Sequence, residues 1–383
     1  MRDILKTNKS VLLLGPRQIG KTTLLKSIKS DLYINLADSR QRRRYERDVE
    51  VIYNEISELA STKDKKIVIV DEIQKVPSLL DDIQTIIDEK KCTFILTGSS
   101  ARKLKSGGTN VNLLPGRLVS LRMDALSLSE VKKIKLDDVL AYGLLPEIYL
   151  IHDVNHRRRL LKSYVEIYLE EEVRQEALVK NLGPFGRFLE LAAIESGQVA
   201  NFSKIAKDVG VSPITIHNYY DILEQCLIVE RVEPIFTSTT RKRLTKSCRY
   251  LFFDLGVRCF AARESEHYIP QRKGQLFEQL VGIEMIKLIH QKNMSAKLRF
   301  WRDPDGPEVD WVFDHQQSFL PIEVKFTESP DVGDAKHLRV FNKEYENSHP
   351  GIIICTSPRK LRLPDGTVCW PWQDLHEAVS GPI

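Results

Sequence analysis

The chain has 383 residues, 42% hydrophobic and 28% charged, with a formal net charge of +5. This is an ordinary globular composition with room for two or three domains, and its mild basicity permits nucleic-acid binding without demanding it. The longest apolar runs, such as Val11-Leu12-Leu13-Leu14, are far too short for a membrane span. The start, Met1-Arg2-Asp3-Ile4-Leu5-Lys6, lacks the apolar core of a secretory signal. Cys92, Cys226, Cys248, Cys259, Cys355 and Cys369 form no C-x-x-C pair. The expected setting is therefore a reducing cytoplasm, away from any membrane.

Residues 1–125 alternate short β-rich runs with helical segments: Val11–Leu14, Tyr33–Leu36, Ile67–Val70, Thr93–Thr97 and Leu118–Arg122. Five such strands joined by helical crossovers predict an open parallel sheet with helices on both faces. Residues 126–198 turn helical, over Leu126–Ile134, Leu136–Tyr142 and Arg157–Lys180, and read as a helical lid region. Residues 199–235 read as a helix, a turn at Gly210, a second helix capped by Ser212 with Pro213 at its first position, and a β-strand. That order predicts a winged helix with Ile205, Val209, Ile216, Tyr220 and Leu223 as its small core. The basic, Ser/Thr-rich segment Thr237–Ser247 then leads into a mixed α/β region, 236–383. The fold class is α/β throughout.

Gly15-Pro16-Arg17-Gln18-Ile19-Gly20-Lys21-Thr22 fits G-x-x-x-x-G-K-[ST], between an apolar strand and a helical pattern. Gly15 and Gly20 let the backbone wrap phosphate oxygens. The loop through Pro16, Arg17, Gln18 and Ile19, closed by Thr23, points amides and a helix N-terminus at them. Lys21 reaches the β- and γ-phosphates of ATP, and the Thr22 hydroxyl coordinates Mg²⁺. The strand Ile67–Val70 runs into Asp71-Glu72, the first able to hold Mg²⁺ through water and the second to orient or deprotonate the attacking water. Thr97 and Ser99, at the tip of the next strand, either hold that water and sense the γ-phosphate or simply cap a strand-to-helix turn. Arg102 and Arg117 are candidate arginine fingers, Arg117 the favoured one, acting in cis or for a neighbouring subunit of a homo-oligomer.

Four segments together resemble a family of archaeal and bacterial AAA-type ATPases with a C-terminal domain of unknown function. They are Gly-Pro-Arg-Gln-x-Gly-Lys-Thr from 15, Val-Asp-Glu-Ile-Gln-Lys-Val-Pro from 70, Leu-Thr-Gly-Ser-Ser-Ala from 96 and Leu-Pro-Gly-Arg from 114. Leu126-Ser127-Leu128-Ser129-Glu130, Gly143-Leu144-Leu145-Pro146-Glu147 and Phe252-Phe253-Asp254-Leu255-Gly256 extend the resemblance over nearly the whole chain. It implies an AAA-like core with the Asp71 strand beside the sensor strand, and it supplies no biological role.

The second helix of the winged-helix segment offers Thr215, His217, Asn218 and Tyr219, with no Arg or Lys and with Asp221 and Glu224 nearby. A DNA contact there would lean on Lys204, Lys207 or the basic 241–246 stretch; the alternative is a protein-contact module. Further on, Gly274–Val281 opens a long helical pattern with Glu278 in its first turns, Asp310 sits in a strand, and Glu323 and Lys325 lie two apart on another. Residues two apart share a strand face. Glu278, Asp310 and Glu323 can thus meet at Mg²⁺ or Mn²⁺, with Lys325 supporting the water or a scissile phosphate. The order resembles the PD-(D/E)xK nucleases and implies a restriction-endonuclease-like domain, either active or a scaffold with an ordinary Glu323–Lys325 pair. Two functions follow. One is ATP-driven processing of DNA, branched DNA included, by remodelling or cleavage. The other is a nucleotide-controlled switch or scaffold acting on a protein partner.

Overall fold

A computed structural model describes residues 1–48, 50–59, 66–99, 116–132, 134–169, 182–236, 238, 244–264, 269–304 and 306–380. The chain divides into two compact units, Met1–Asp124 with Gln225–Leu227, and Ala125–Glu224 with Ile228–Ile383.

The first unit is built on a five-stranded parallel sheet, β1 (Ser10–Leu14), β2 (Leu32–Asn35), β3 (Lys66–Asp71), β4 (Cys92–Gly98) and β5 (Leu118–Arg122), ordered β2-β3-β4-β1-β5. Each expected strand lies within one residue of its observed limits. The runs are readable because β1 and β4 are buried along their whole length, as strands covered on both faces must be. Alternate residues face opposite sides. Leu12, Val68, Val70, Phe94 and Leu96 pack with Ile52 and Ile56 of α2 (Glu50–Leu59) and with Leu79, Ile83 and Ile86 of α3 (Leu79–Asp88), whereas Ile69 and Ile95 meet Leu25 of α1 (Lys21–Lys26). Every strand end therefore falls on one edge, with Leu14 level with both Gly98 and Arg122.

The second unit carries an eight-stranded mixed sheet, ordered β12-β13-β11-β10-β9-β8-β6-β7. Its strands are β6 (Val229–Pro234), β7 (Arg249–Phe252), β8 (Ala296–Arg302), β9 (Glu308–His315), β10 (Ser318–Lys325), β11 (Ile352–Cys355), β12 (Leu361–Arg362) and β13 (Val368–Pro371). The helix-turn-helix expected from Ser203 onward is present as α4 (Phe202–Val209) and α5 (Pro213–Gln225). Gly210 takes a left-handed φ of 81°, and Ser212 Oγ accepts from Thr215 N at 3.1 Å. Tyr219 is not on its exposed face: its ring packs on Phe185 and Phe188 at 5.1 and 5.2 Å. The strand that follows, β6, pairs antiparallel with β7 and parallel with β8. The boundary expected at 235/236 thus falls inside one sheet, since Glu233 and Pro234 are in register with Arg299 and Phe300.

The helix expected from Gly274 begins earlier, as α6 (Ile269–Lys292), because Pro270 is tolerated in a first turn; Glu278 lies mid-helix. After it β8, β9 and β10 form an antiparallel meander, and α7 (Lys336–Glu344) crosses over to β11, parallel to β10. No described helix is long and apolar enough to cross a membrane.

Candidate functional sites

The glycine-rich loop leaves β1 at the edge where the parallel strands end. Gly15 N donates to Gly98 O at 3.3 Å, and a Cβ on Gly15 would sit 2.3 Å from Met123 O and 2.4 Å from Ile19 Cδ1. Gly20, with φ 93°, turns the loop into α1. Pro16 and Ile19 are buried, Arg17 is half-buried, and Gln18, Thr22 and Thr23 are exposed. Lys21 is buried, and its Nζ donates to Gly15 O and Pro16 O, each at 2.7 Å.

Buried Asp71 gathers three hydroxyls. Its Oδ2 accepts from Thr22 Oγ1 at 2.8 Å and from Tyr33 Oη at 2.9 Å, and its Oδ1 accepts from Thr97 Oγ1. Burial, then the Asp71 carboxylate, raises the Tyr33 phenol above its ordinary range. Thr97 Oγ1 also accepts from Glu72 N at 3.1 Å. Glu72 itself is left-handed, φ 62° and ψ 45°, a conformation uncommon for a non-glycine residue. Its Oε2 accepts from Gln74 Nε2, which also reaches Ser99 Oγ at 3.1 Å. Lys21, Thr22, Asp71, Glu72, Thr97 and Ser99 are thus brought to one edge. Tyr33 and Gln74 join them without having been anticipated.

Arg117 is not at that edge. Leu118 is in register with Ser10, the first residue of β1, so Arg117 precedes the opposite end of a strand roughly 13 Å long. There it makes a two-pronged pair with Asp88, Nε to Oδ1 at 2.6 Å and Nη2 to Oδ2 at 2.9 Å. Within its own chain Arg117 therefore stands at the opposite edge from Lys21, Asp71 and Glu72. Arg102 lies outside the described residues, as do residues 241–243 of the basic stretch.

In the second unit α6 supplies Glu278, β9 supplies Asp310, and β10 supplies Glu323 and Lys325. Their charges interact, but each acid is committed elsewhere. Glu278 Oε1 accepts from Arg249 Nη1 at 2.8 Å, Asp310 Oδ2 from Val324 N at 2.8 Å, and Glu323 Oε1 from Lys325 Nζ at 2.8 Å. Among the described residues no three His, Cys, Asp or Glu side chains are arranged to hold a metal ion. The expected Glu278–Asp310–Glu323 metal centre is corrected accordingly: the oxygens are of the right kind for Mg²⁺ or Mn²⁺, but one oxygen of each is already taken by a protein cation or an amide.

Burial, then the nearby Asp310 charge, pushes Glu278 and Glu323 up to about 8, and burial raises Asp310. The buried Glu323 Oε2 has no hydrogen-bond partner among the described residues. Between the ordinary 4.5 and about 8 the folded state holds a proton that the unfolded state has released. That contribution is full below about pH 4.5 and is lost as pH rises toward 8. Relative to the parent, Glu323→Gln should gain roughly 1–3 kcal/mol of stability between pH 5 and pH 8. Urea unfolding of both proteins at the two pH values checks this; an offset that does not change with pH would refute it.

Residues 7–132 match the model of an AAA domain, residues 133–268 that of a domain of unknown function (DUF8612), and residues 273–375 that of another (DUF4143). An uncharacterized protein of Mycobacterium tuberculosis is 23% identical over 326 residues, 84% of this chain and 71% of its own length. One from Methanocaldococcus jannaschii is 25% identical over 394 residues, 93% of this chain and 84% of its own. Among solved structures, the ORC1 protein of Aeropyrum pernix in complex with DNA aligns with TM-score 0.30 and 14% identity, over 68% of this chain and 90% of that one. The first unit is an AAA-type, ATP-binding domain by its sequence match, with the glycine-rich loop and acidic strand end described above.

Proposed function

We propose that the chain hydrolyses MgATP at the first unit and uses the cycle to act on DNA, which the second unit grips rather than cuts. The observation that carries the ATPase reading is the Thr22–Asp71–Thr97 hydrogen-bonded chain beneath the glycine loop, a hydroxyl and a carboxylate side by side as hard oxygen donors. Thr22 Oγ1 and Asp71 would hold Mg²⁺, which offsets the charge on the phosphates. Lys21 exchanges its loop carbonyls for the β- and γ-phosphates. Glu72, steered by Gln74 and Thr97, accepts the proton of the attacking water. A finger from Arg117 would serve a neighbouring copy.

The DNA reading is supported by a polar groove of about 590 Å³ at the head of α4, lined in part by Asn201, Ser203, Thr245, Ser247 and Arg302. Hydroxyl, amide and guanidinium groups are those that hold a phosphate backbone. The meander, the α7 crossover and the Glu278, Asp310, Glu323, Lys325 set support a nuclease-like scaffold, and the pairing of its acids favours one that does not cleave.

The test is ATP hydrolysis by the full chain with Mg²⁺, alone and with single-stranded, duplex and branched DNA, while strand integrity is followed. Hydrolysis stimulated by one DNA form, with all strands intact, is expected. Gly15→Ala, whose Cβ overlaps Met123 O, should lower ATP affinity at least about 10-fold. Hydrolysis indifferent to every DNA would transfer the reading to an ATP-governed switch on a protein partner. Absence of hydrolysis would remove both.

A further inference from the structure

The acidic cluster of the second unit contains a residue that no motif announces. Arg249, on β7, is 5% exposed, an unusual place for a guanidinium unless it has a task. Its Nη1 lies 2.8 Å from Glu278 Oε1 and 3.2 Å from the Asp310 backbone oxygen. Its Cζ lies over the rings of Phe300 and Trp311, 4.5 and 5.2 Å from their centroids, a packing that suits a weakly hydrated planar cation and would not suit a divalent ion. Trp311 Nε1 donates to Glu278 O at 2.9 Å, which fixes α6 against β9 and so fixes where Glu278 stands.

We propose that Arg249 is the resident counter-cation of the Glu278–Asp310 pair and that its guanidinium keeps divalent metal out of this cluster. Buried acids whose charges interact, as those of Glu278, Asp310 and Glu323 do, ionise only with compensating positive charge. Nucleases of this general design would take it from metal; here Arg249 supplies it from β7 and Lys325 from β10, and a metal ion entering beside a fixed guanidinium would meet direct repulsion. The guanidinium cannot step aside by losing its proton. Nor can it swing out cheaply, lying over two aromatic rings and bonded to two oxygens. The chemistry excluded is that of Mg²⁺ and Mn²⁺ on oxygen ligands. The inference rests on the second unit alone and survives or fails independently of the ATPase reading.

The experiment counts bound Mn²⁺ by electron paramagnetic resonance on the full chain, without nucleotide, in an Asp71→Asn background that removes the carboxylate of the first unit's metal position. With Arg249 present, no Mn²⁺ site that depends on Asp310 is expected. Arg249→Met should create one, binding at least about 10-fold more tightly, and Asp310→Asn should abolish it again. A folded Arg249→Met chain that gains no site would overturn the proposal. Because this substitution leaves Glu278 unpaired and could unfold the unit, the parent is also melted with and without Mn²⁺. A rise in its melting temperature that Asp310→Asn removes would mean that metal already binds beside Arg249, and would equally overturn it; an unchanged melting temperature supports it.

Discussion

Glu72→Gln is expected to slow ATP turnover by about 10²–10⁴-fold while leaving nucleotide affinity within about threefold. The residue follows the end of β3, half-buried and in a left-handed conformation. Such a conformation persists in a non-glycine residue only where its surroundings over-determine it. Here the surroundings are explicit: Thr97 Oγ1 takes the Glu72 amide, and Gln74 takes one carboxylate oxygen while reaching Ser99. The backbone is bent so that Asp71 remains under the loop with Thr22 while Glu72 turns aside from it. Gln keeps the shape and the acceptor for Gln74 but cannot accept a proton, so binding and chemistry should separate. Equilibrium titration with a fluorescent ATP analogue measures the first and single-turnover hydrolysis the second. Equal turnover in the two proteins would remove Glu72 from the mechanism; a large loss of affinity would make its role one of binding.

The placement of the candidate nucleotide-site residues was largely legible because the site's parts are written as contiguous words. An apolar run that ends in Gly15 or in Asp71-Glu72 fixes a strand, its direction and its exit at once, and in a parallel sheet all exits share an edge. The same logic explains why Arg117 stands apart from the motifs in its own chain. It stands just before β5, so it belongs to the edge where strands start, however near the motifs lie in sequence. Tyr33 and Gln74 were not legible. Tyr33 meets Asp71 across β2 and β3, and Gln74 meets Ser99 across two loops; neither contact leaves a spacing in the chain.

In the second unit the acids were readable and their partners were not. Glu323 and Lys325 share a strand face by the two-residue rule and do pair. Arg249 reaches Glu278 and Asp310 from a strand 29 and 61 residues away, and a lone arginine after Ser247-Cys248 looks like any surface residue. Charge balance in a buried cluster is a property of tertiary neighbours, which is why a motif could name three oxygens and still misjudge what faces them. The strand β6 was foreseen as a strand, yet its edge-on pairing to β8 was not, because periodicity gives the faces of a strand and says nothing of its neighbours.

Lys287→Met should destabilise the second unit by about 3–5 kcal/mol, the usual consequence of removing one partner of a buried ion pair. Glu284 and Lys287 stand one turn apart on α6 and are 0% and 3% exposed. Lys287 Nζ donates to Glu284 Oε1 at 2.8 Å and to Leu126 O at 2.7 Å, and Glu284 Oε2 accepts from Leu128 N at 2.8 Å with His376 Nε2 3.6 Å away. Burial alone would raise the Glu284 carboxyl; Lys287 and these hydrogen bonds reverse that and hold it below its usual range. With methionine at 287 the carboxylate keeps its burial and loses its main counter-charge, and the 126–128 segment loses one of its two ties to α6. Adding Glu284→Leu removes the stranded charge, so the double variant should recover most of the loss despite lacking the pair altogether. All four tryptophans, Trp301, Trp311, Trp370 and Trp372, lie in this unit, so intrinsic fluorescence during urea unfolding reads it directly. A single variant within about 1 kcal/mol of the parent would mean that water reaches Glu284. A double variant no more stable than the single one would locate the loss in the Leu126 and Leu128 backbone bonds rather than in the charge.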